Sequence, residues 1–186
     1  RPGVSGCLSA LRRSAQAWSI RLSAKTKLVG GWLVFILIAD QLTKFIVDRT
    51  MPLHHSVPVI DNWFSLTYIR NTGAAFGFLA GSAAAFRLPF LIVFSLVAIG
   101  FVVAMLRRLP DQETGLITAL AFILGGAIGN LIDRFAYGEV IDFLDFYWSG
   151  YHWPAFNVAD SFITIGVAIT VFYLVKAKGE DPFARR

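Results

Sequence analysis

Four apolar runs, at about residues 28–47, 83–106, 115–132 and 156–175, are each long enough to cross the roughly 30 Å hydrocarbon layer of a bilayer as a helix. Lipid offers no partner to a bare N–H or C=O, so a spanning run must close its own hydrogen bonds along the segment. The chain has 186 residues, 56% of them hydrophobic, with 17 Phe and only 16% charged residues, far from the balance of soluble domains. The expected fold is an all-α membrane protein: four transmembrane helices, with a small periplasmic β-sheet segment between helices 1 and 2. Residues 1–27 are expected to form a basic cytoplasmic tail, 28–178 the four-helix domain and 179–186 a cytoplasmic C-terminal tail.

The connecting segments refine this outline. Asp48 to Gly81 is polar, contains Pro and aromatic residues, and is too broken to span. Within it Val57–Ile60 and Trp63–Ile69 are rich in β-branched and aromatic residues and flank Asp61-Asn62, a turn signal, so a small hairpin or sheet is expected. Arg107-Arg108-Leu109-Pro110-Asp111 makes a short loop, which leaves helices 2 and 3 as antiparallel neighbours. Tyr147, Trp148, Tyr151 and Trp153, between helices 3 and 4, suit a membrane–water interface.

Cations set the orientation. Arg12, Arg13, Arg21, Lys25 and Lys27 precede the first run, Arg107 and Arg108 follow the second, and Lys176, Lys178, Arg185 and Arg186 follow the fourth. Both termini are therefore expected in the cytoplasm of a bacterial inner-membrane, multi-pass protein, with any active site near the periplasmic face. These cations sit at the ends of apolar runs and form no stripe interleaved with aromatics, so the net charge of +5 does not indicate nucleic acid. One cysteine, Cys7, excludes an internal disulfide framework and a paired-cysteine metal site. It ends Val4-Ser5-Gly6-Cys7, which looks like a lipoprotein cleavage box but lacks a preceding apolar segment; with no initiating Met, the chain start is expected to be truncated or processed. No repeat or low-complexity segment stands out.

Charged groups inside or beside a spanning run cost several kcal/mol unless paired or facing a cavity. Here they gather near the outer ends. Asp40 and Lys44 are spaced i,i+4 on one face of the first run, where they form an intrahelical ion pair or hold substrate and site geometry; the second role is preferred for Asp40. Gly125 and Gly129 have the spacing that lets another helix approach closely. Asn130, Asp133 and Arg134 then present a polar face at i, i+3 and i+4, with Asp133 and Arg134 expected to form structural pairs, with Asp40 or Asn71 among the partners. Asp142 is bracketed by apolar residues in Val140-Ile141-Asp142-Phe143, an arrangement that desolvates a carboxyl and raises its pKa. Asp160 shares a helical face with Asn157, where it either faces Asp142 or simply favours the dipole of a helix N-terminus. Two carboxylates held close together share a proton, so that one activates water while the other protonates a scissile carbonyl.

Asp40-Gln41-Leu42-Thr43-Lys44, Asn71-Thr72-Gly73-Ala74-Ala75-Phe76, the stretch from Gly125 to Arg134, Val140-Ile141-Asp142-Phe143 and Phe156-Asn157-Val158-Ala159-Asp160-Ser161 occur in the order in which the chain resembles bacterial lipoprotein signal peptidases, the signal peptidase II family. The likeness spans about Leu28 to Val175. It implies a four-helix intramembrane aspartyl endopeptidase that cuts prolipoproteins just before a diacylglyceryl cysteine and is inhibited by globomycin. It implies catalysis by Asp142 and Asp160, with Asp40, Lys44, Asn71, Gly73, Asn130, Asp133, Arg134 and Asn157 binding substrate or bracing the site. It implies no metal or other cofactor, membrane lipid as surroundings and a monomer. The extramembrane sheet would cradle substrate, and a flap or helix near Phe135 to Trp153 would close over it about Gly138 and Gly150.

Three rival classes remain. A metallopeptidase would use His54, His55 and His152, but no HExxH occurs. A small proton- or ion-coupled carrier would need polar groups through the full depth of the bundle. A purely structural four-span protein would explain the glycines but not the convergence of polar groups at one face.

Overall fold

The computed structural model describes residues 23–73 and 84–176. Residues 1–22 of the expected N-terminal tail, with Cys7, the C-terminal tail beyond Lys176, and the Ala74-Ala75-Phe76 end of one motif lie outside the described residues, and the last residues of the expected tail, 24–27, are helical. The elements in chain order are helix α1 (Ala24–Thr50), strands β1 (Ser56–Ile60) and β2 (Phe64–Asn71), helices α2 (Ala84–Arg108) and α3 (Thr114–Tyr137), strands β3 (Val140–Trp148) and β4 (Tyr151–His152), and helix α4 (Val158–Lys176). All four helices have the length and hydropathy to span a membrane.

Helix α3 is the axis of the bundle and packs against each of the other three. Leu116, Ile117, Leu120 and Leu124 of α3 are buried with Val102, Leu106 and Leu109 near the α2–α3 turn, forming an apolar plug at one end. The outward faces of α1, α2 and α4 carry exposed Val34, Phe35, Phe94, Val97, Phe101 and Phe172, as lipid-facing surfaces require. Close approach depends on two glycines of α3. A Cβ on Gly126 would stand 2.3 Å from the Ala159 carbonyl oxygen, and one on Gly129 would stand 2.6 Å from Asp40 Oδ2. Bare backbone at these positions brings the starts of the functional segments of α1 and α4 into contact with α3.

The spans differ from the apolar runs mainly at their ends. The third continues through Asp133 and Arg134 to Tyr137, and stops where Gly138 takes the left-handed conformation (φ 75°) and donates its N–H to the Arg134 carbonyl at 3.0 Å. The sheet requires a larger correction. Its antiparallel order is β1-β2-β3-β4, so half of its strands come from between α3 and α4 and not from the segment between the first two helices. Phe135 to Trp153 is therefore the end of α3 followed by β3, a tight turn and β4, in place of the expected flap or helix. Gly150 (φ 83°) and Ser149 (φ 50°) form the two-residue turn between Trp148 and Tyr151, both in the left-handed region that such a hairpin demands.

Register across the sheet is fixed by side chains as well as by the ladder. Ser56 and Thr67 hydroxyls meet at 2.7 Å, Thr67 donates to Asp145 Oδ2 at 2.9 Å, and His152 Nδ1 lies 2.9 Å from Asp145 Oδ1, linking all four strands. The β2–β3 ladder pairs Asn71 with Val140 and Ile69 with Asp142, with an irregularity between Leu66 and Ile69. Val47, Tyr68, Ile141 and Phe143 form a second apolar cluster where the sheet meets α1.

Candidate active site

Asp142 is on β3 and is 2% exposed. Both its oxygens accept hydrogen bonds from asparagine amides: Oδ1 from Asn157 Nδ2 at 2.7 Å and Oδ2 from Asn71 Nδ2 at 2.8 Å. Asp160, in the first turn of α4, accepts from Asn130 Nδ2 at 2.7 Å on Oδ1 and from the Asn157 N–H at 3.3 Å on Oδ2. Asn157 thus touches both carboxylates.

The direction of every amide is set by a donor at its other end. Asn71 Oδ1 accepts the Gly73 N–H at 2.9 Å, Asn157 Oδ1 accepts the Asp160 N–H at 2.9 Å, and Asn130 Oδ1 accepts Lys44 Nζ at 3.0 Å. With their carbonyls occupied, the three amides turn their N–H groups toward the two acids. The Asn157–Asp160 exchange is a capping box, with side chain to backbone bonds in both directions, and it starts α4 where the carboxylate is needed.

Beneath this layer lies a buried ion cluster. Lys44 is 2% exposed and stands 2.8 Å from Asp40 Oδ2 and 2.9 Å from Asp133 Oδ2, which are 0% and 1% exposed. With Asn130 it has three acceptors for its three protons. Asp40 pairs with Lys44, and its Oδ1 also accepts the Ala159 N–H of α4 at 2.9 Å. Asp133 takes Lys44, not Asp40 or Asn71, as its partner, and its Oδ2 accepts the Ile141 N–H at 3.2 Å, beside Asp142. Gln41 donates to Asp40, Asp133 and the Gly129 carbonyl. Arg134 is half-buried and donates to the Asn130 carbonyl at 3.3 Å. Among the described residues every buried side-chain nitrogen and oxygen has a partner.

Burial, and then the nearby Asp160 charge, pushes the Asp142 carboxyl from 3.8 up to about 7, against the hydrogen bonds of Asn71 and Asn157. An acid that holds its proton near neutrality beside a second carboxylate can both deliver and receive protons around a bound amide. The histidines considered for a metal are not brought to this place: His152 is tied to Asp145 on the sheet, and among the described residues no three of His, Cys, Asp and Glu are grouped to hold an ion.

All ten site residues expected from the sequence meet in one network, Gly73 through its backbone N–H and Arg134 through a guanidinium bond to the Asn130 carbonyl. Sequence reasoning gave no site role to Gln41, Asp48, Tyr68, Arg70 or Asp145. The i+4 spacing of Asp40, Lys44 and Asp48 along α1 was a signal for one of them.

The family model for signal peptidase (SPase) II matches residues 32–176, a stretch that contains every residue of this network. A lipoprotein signal peptidase from Geobacter sulfurreducens is 55% identical over 140 residues, 75% of this chain and 86% of that protein. One from Syntrophus aciditrophicus is 48% identical over 145 residues, 78% of this chain and 90% of its own length. Among solved structures, a bacterial membrane enzyme superposes with a TM-score of 0.74 at 34% identity, covering 82% of this chain and 90% of that one. With a match this long and relatives this similar, the chain belongs to the signal peptidase II family.

Proposed function

We propose that the protein removes signal peptides from diacylglyceryl-modified prolipoproteins, cutting before the lipidated cysteine, with Asp142 and Asp160 as its catalytic pair. The observation that carries this is the pair itself: two carboxylates bridged by Asn157 and fed by three oriented amides, at the end of the bundle where α3, α4 and the sheet converge. Lysine and arginine placement supports cytoplasmic termini and a site toward the periplasm, where a lipidated cysteine at the bilayer surface would reach it. The reading carries with it inhibition by globomycin, action as a monomer and no metal.

In the proposed reaction Asp160 takes a proton from water as the water oxygen attacks the scissile carbonyl carbon, and Asp142 gives its proton to the carbonyl oxygen. As the tetrahedral adduct collapses and the C–N bond breaks, Asp160 passes its newly gained proton to the leaving nitrogen and the adduct's hydroxyl returns a proton to Asp142. Asn71, Asn130 and Asn157 hold the carboxylates in place throughout. An ion-coupled carrier is not favoured, because the end of the bundle opposite the acids is filled by the apolar cluster around Leu116 and Leu120.

The test is gel-shift cleavage of a diacylglyceryl prolipoprotein by purified wild type, Asp142→Asn and Asp160→Asn, with and without EDTA. Both folded variants should be inactive and EDTA without effect. Cleavage that survives either substitution overturns the pair.

A further inference from the structure

Asp40, Lys44 and Asp48 form three steps of one stripe on α1. The first holds the start of α4, the second holds Asn130, and the third reaches the sheet. Asp48 Oδ1 accepts Arg70 Nη2 at 2.6 Å and also binds the Tyr68 hydroxyl, while Arg70 Nε donates to that hydroxyl at 2.7 Å. The Arg70 guanidinium also lies 4.7 Å from the ring centre of Tyr137, the last residue of α3. One side chain therefore ties the end of β2 to the ends of two spanning helices.

Arg70 precedes Asn71, whose amide holds Asp142 Oδ2 at 2.8 Å. Neighbouring strand residues point to opposite faces, so Arg70 does not compete for the acid. The ladder pairs Ile69, Arg70 and Asn71 with Asp142, Ile141 and Val140, but the register shift between Leu66 and Ile69 separates these last pairs from the rest of β2, so the strand end gains from a side-chain anchor. Downstream of Asn71, the local bond from Gly73 orients the amide but does not place the strand.

We propose that Arg70 is a positioning residue for the reaction: clamped to Asp48 and stacked on Tyr137, it fixes the end of β2 and thereby aims the Asn71 amide at Asp142. The proposal rests on Asp142 being catalytic. A planar guanidinium makes the two-point contact and the stacking together, and a lysine ammonium of the same charge does not. Arg70→Lys thus keeps the charge and removes the clamp.

The experiment measures kcat and KM against pH for the full chain on a diacylglyceryl prolipoprotein, using wild type, Arg70→Lys, Asn71→Ala, the double variant, Tyr137→Phe and Asp142→Asn. Besides Asn71 and Asn157, the charged groups around Asp142 are Asp160 on α4, Lys44 on α1 and Arg134 on α3, and Arg70→Lys alters none of them. Arg70→Lys should lower kcat by about tenfold with little change in KM, the scale expected for a small misplacement of a reacting group. Its high-pH limb should move upward as that of Asn71→Ala does, and the double variant should be no worse than Asn71→Ala alone. Tyr137→Phe, which keeps the ring, should match wild type.

Additive losses in the double variant, or a loss in Arg70→Lys confined to KM or to thermal stability, overturn the positioning role. If Arg70→Lys does not fold, Tyr137→Leu, which spares the ion pair, carries the same comparison with Asn71→Ala. An active Asp142→Asn would instead remove the catalytic reading beneath it, whereas an inactive Asp142→Asn beside a wild-type-like Arg70→Lys would remove this proposal alone.

Discussion

Asn157 and Asp160 hold one another across the first turn of α4: the Asp160 N–H binds Asn157 Oδ1 at 2.9 Å and the Asn157 N–H binds Asp160 Oδ2 at 3.3 Å. Starting the helix and placing the carboxylate are therefore one event. Asn157→Ala removes the cap, and with it the amide on Asp142. It should lower stability by about 1 kcal/mol and cleavage by about 100-fold. Asp160→Asn keeps an acceptor at the third helical position and should unfold near the wild-type midpoint while being inactive. Detergent-phase thermal unfolding beside a cleavage assay measures both; equal losses of stability in the two variants would contradict the argument.

The buried Lys44 predicts a different pattern. Two carboxylates with 0% and 1% exposure depend on it, so Lys44→Met leaves them uncompensated and should cost about 3–5 kcal/mol. Adding Asp40→Asn and Asp133→Asn removes the stranded charges and should restore much of the unfolding midpoint. Cleavage should stay low, because Asn130 Oδ1 then keeps only the Asn157 amide, at 3.1 Å, to hold its own N–H toward Asp160. A triple variant no more stable than Lys44→Met would show that charge burial is not the cause.

The four spans were legible because lipid leaves a chain few options, and the burial of Asp142 was legible from its apolar neighbours, whereas spacing alone left Asp160 open between a helix-terminus role and a place beside Asp142. The first hairpin could be read from Asp61-Asn62 between two β-rich runs. Strand β3 was missed although Val140–Trp148 is just as rich in β-formers. Asp142 and Asp145 interrupt that run, three residues apart and so on opposite faces, and their partners Asn71 and Thr67 are about 70 residues away. Local pattern does not show which distant strand completes a sheet. The clamp around Arg70 was hidden for the same reason: its partners come from the ends of α1 and α3.

Glycine contacts in α3 separate packing from chemistry. A methyl group at Gly126 meets the Ala159 backbone oxygen at 2.3 Å, and neither side can swing away. Gly126→Ala should push out the start of α4 at a cost of about 1–3 kcal/mol, the usual range for overpacking, and should reduce cleavage because Asp160 is one residue further on. Gly30→Ala in α1 meets nothing within 4 Å and should stabilise by up to about 1 kcal/mol through helix propensity. Unfolding midpoints of the two variants should move in opposite directions.

The Asp142 carboxyl sets the pH response. Its pKa in the folded protein is raised from 3.8 to about 7, first by burial and then by Asp160. Between these values the folded state binds more protons than the unfolded one, so this group's contribution is complete below about pH 4 and is lost as pH rises toward 7. Wild-type stability should accordingly fall over that window, and Asp142→Asn should fall less. Cleavage that needs the Asp142 proton should decline above about pH 7. Asn71→Ala removes a donor that favours the charged form, so its declining limb should lie at higher pH than that of wild type. A limb that stays in place when Asn71 is removed would mean that another group limits the reaction.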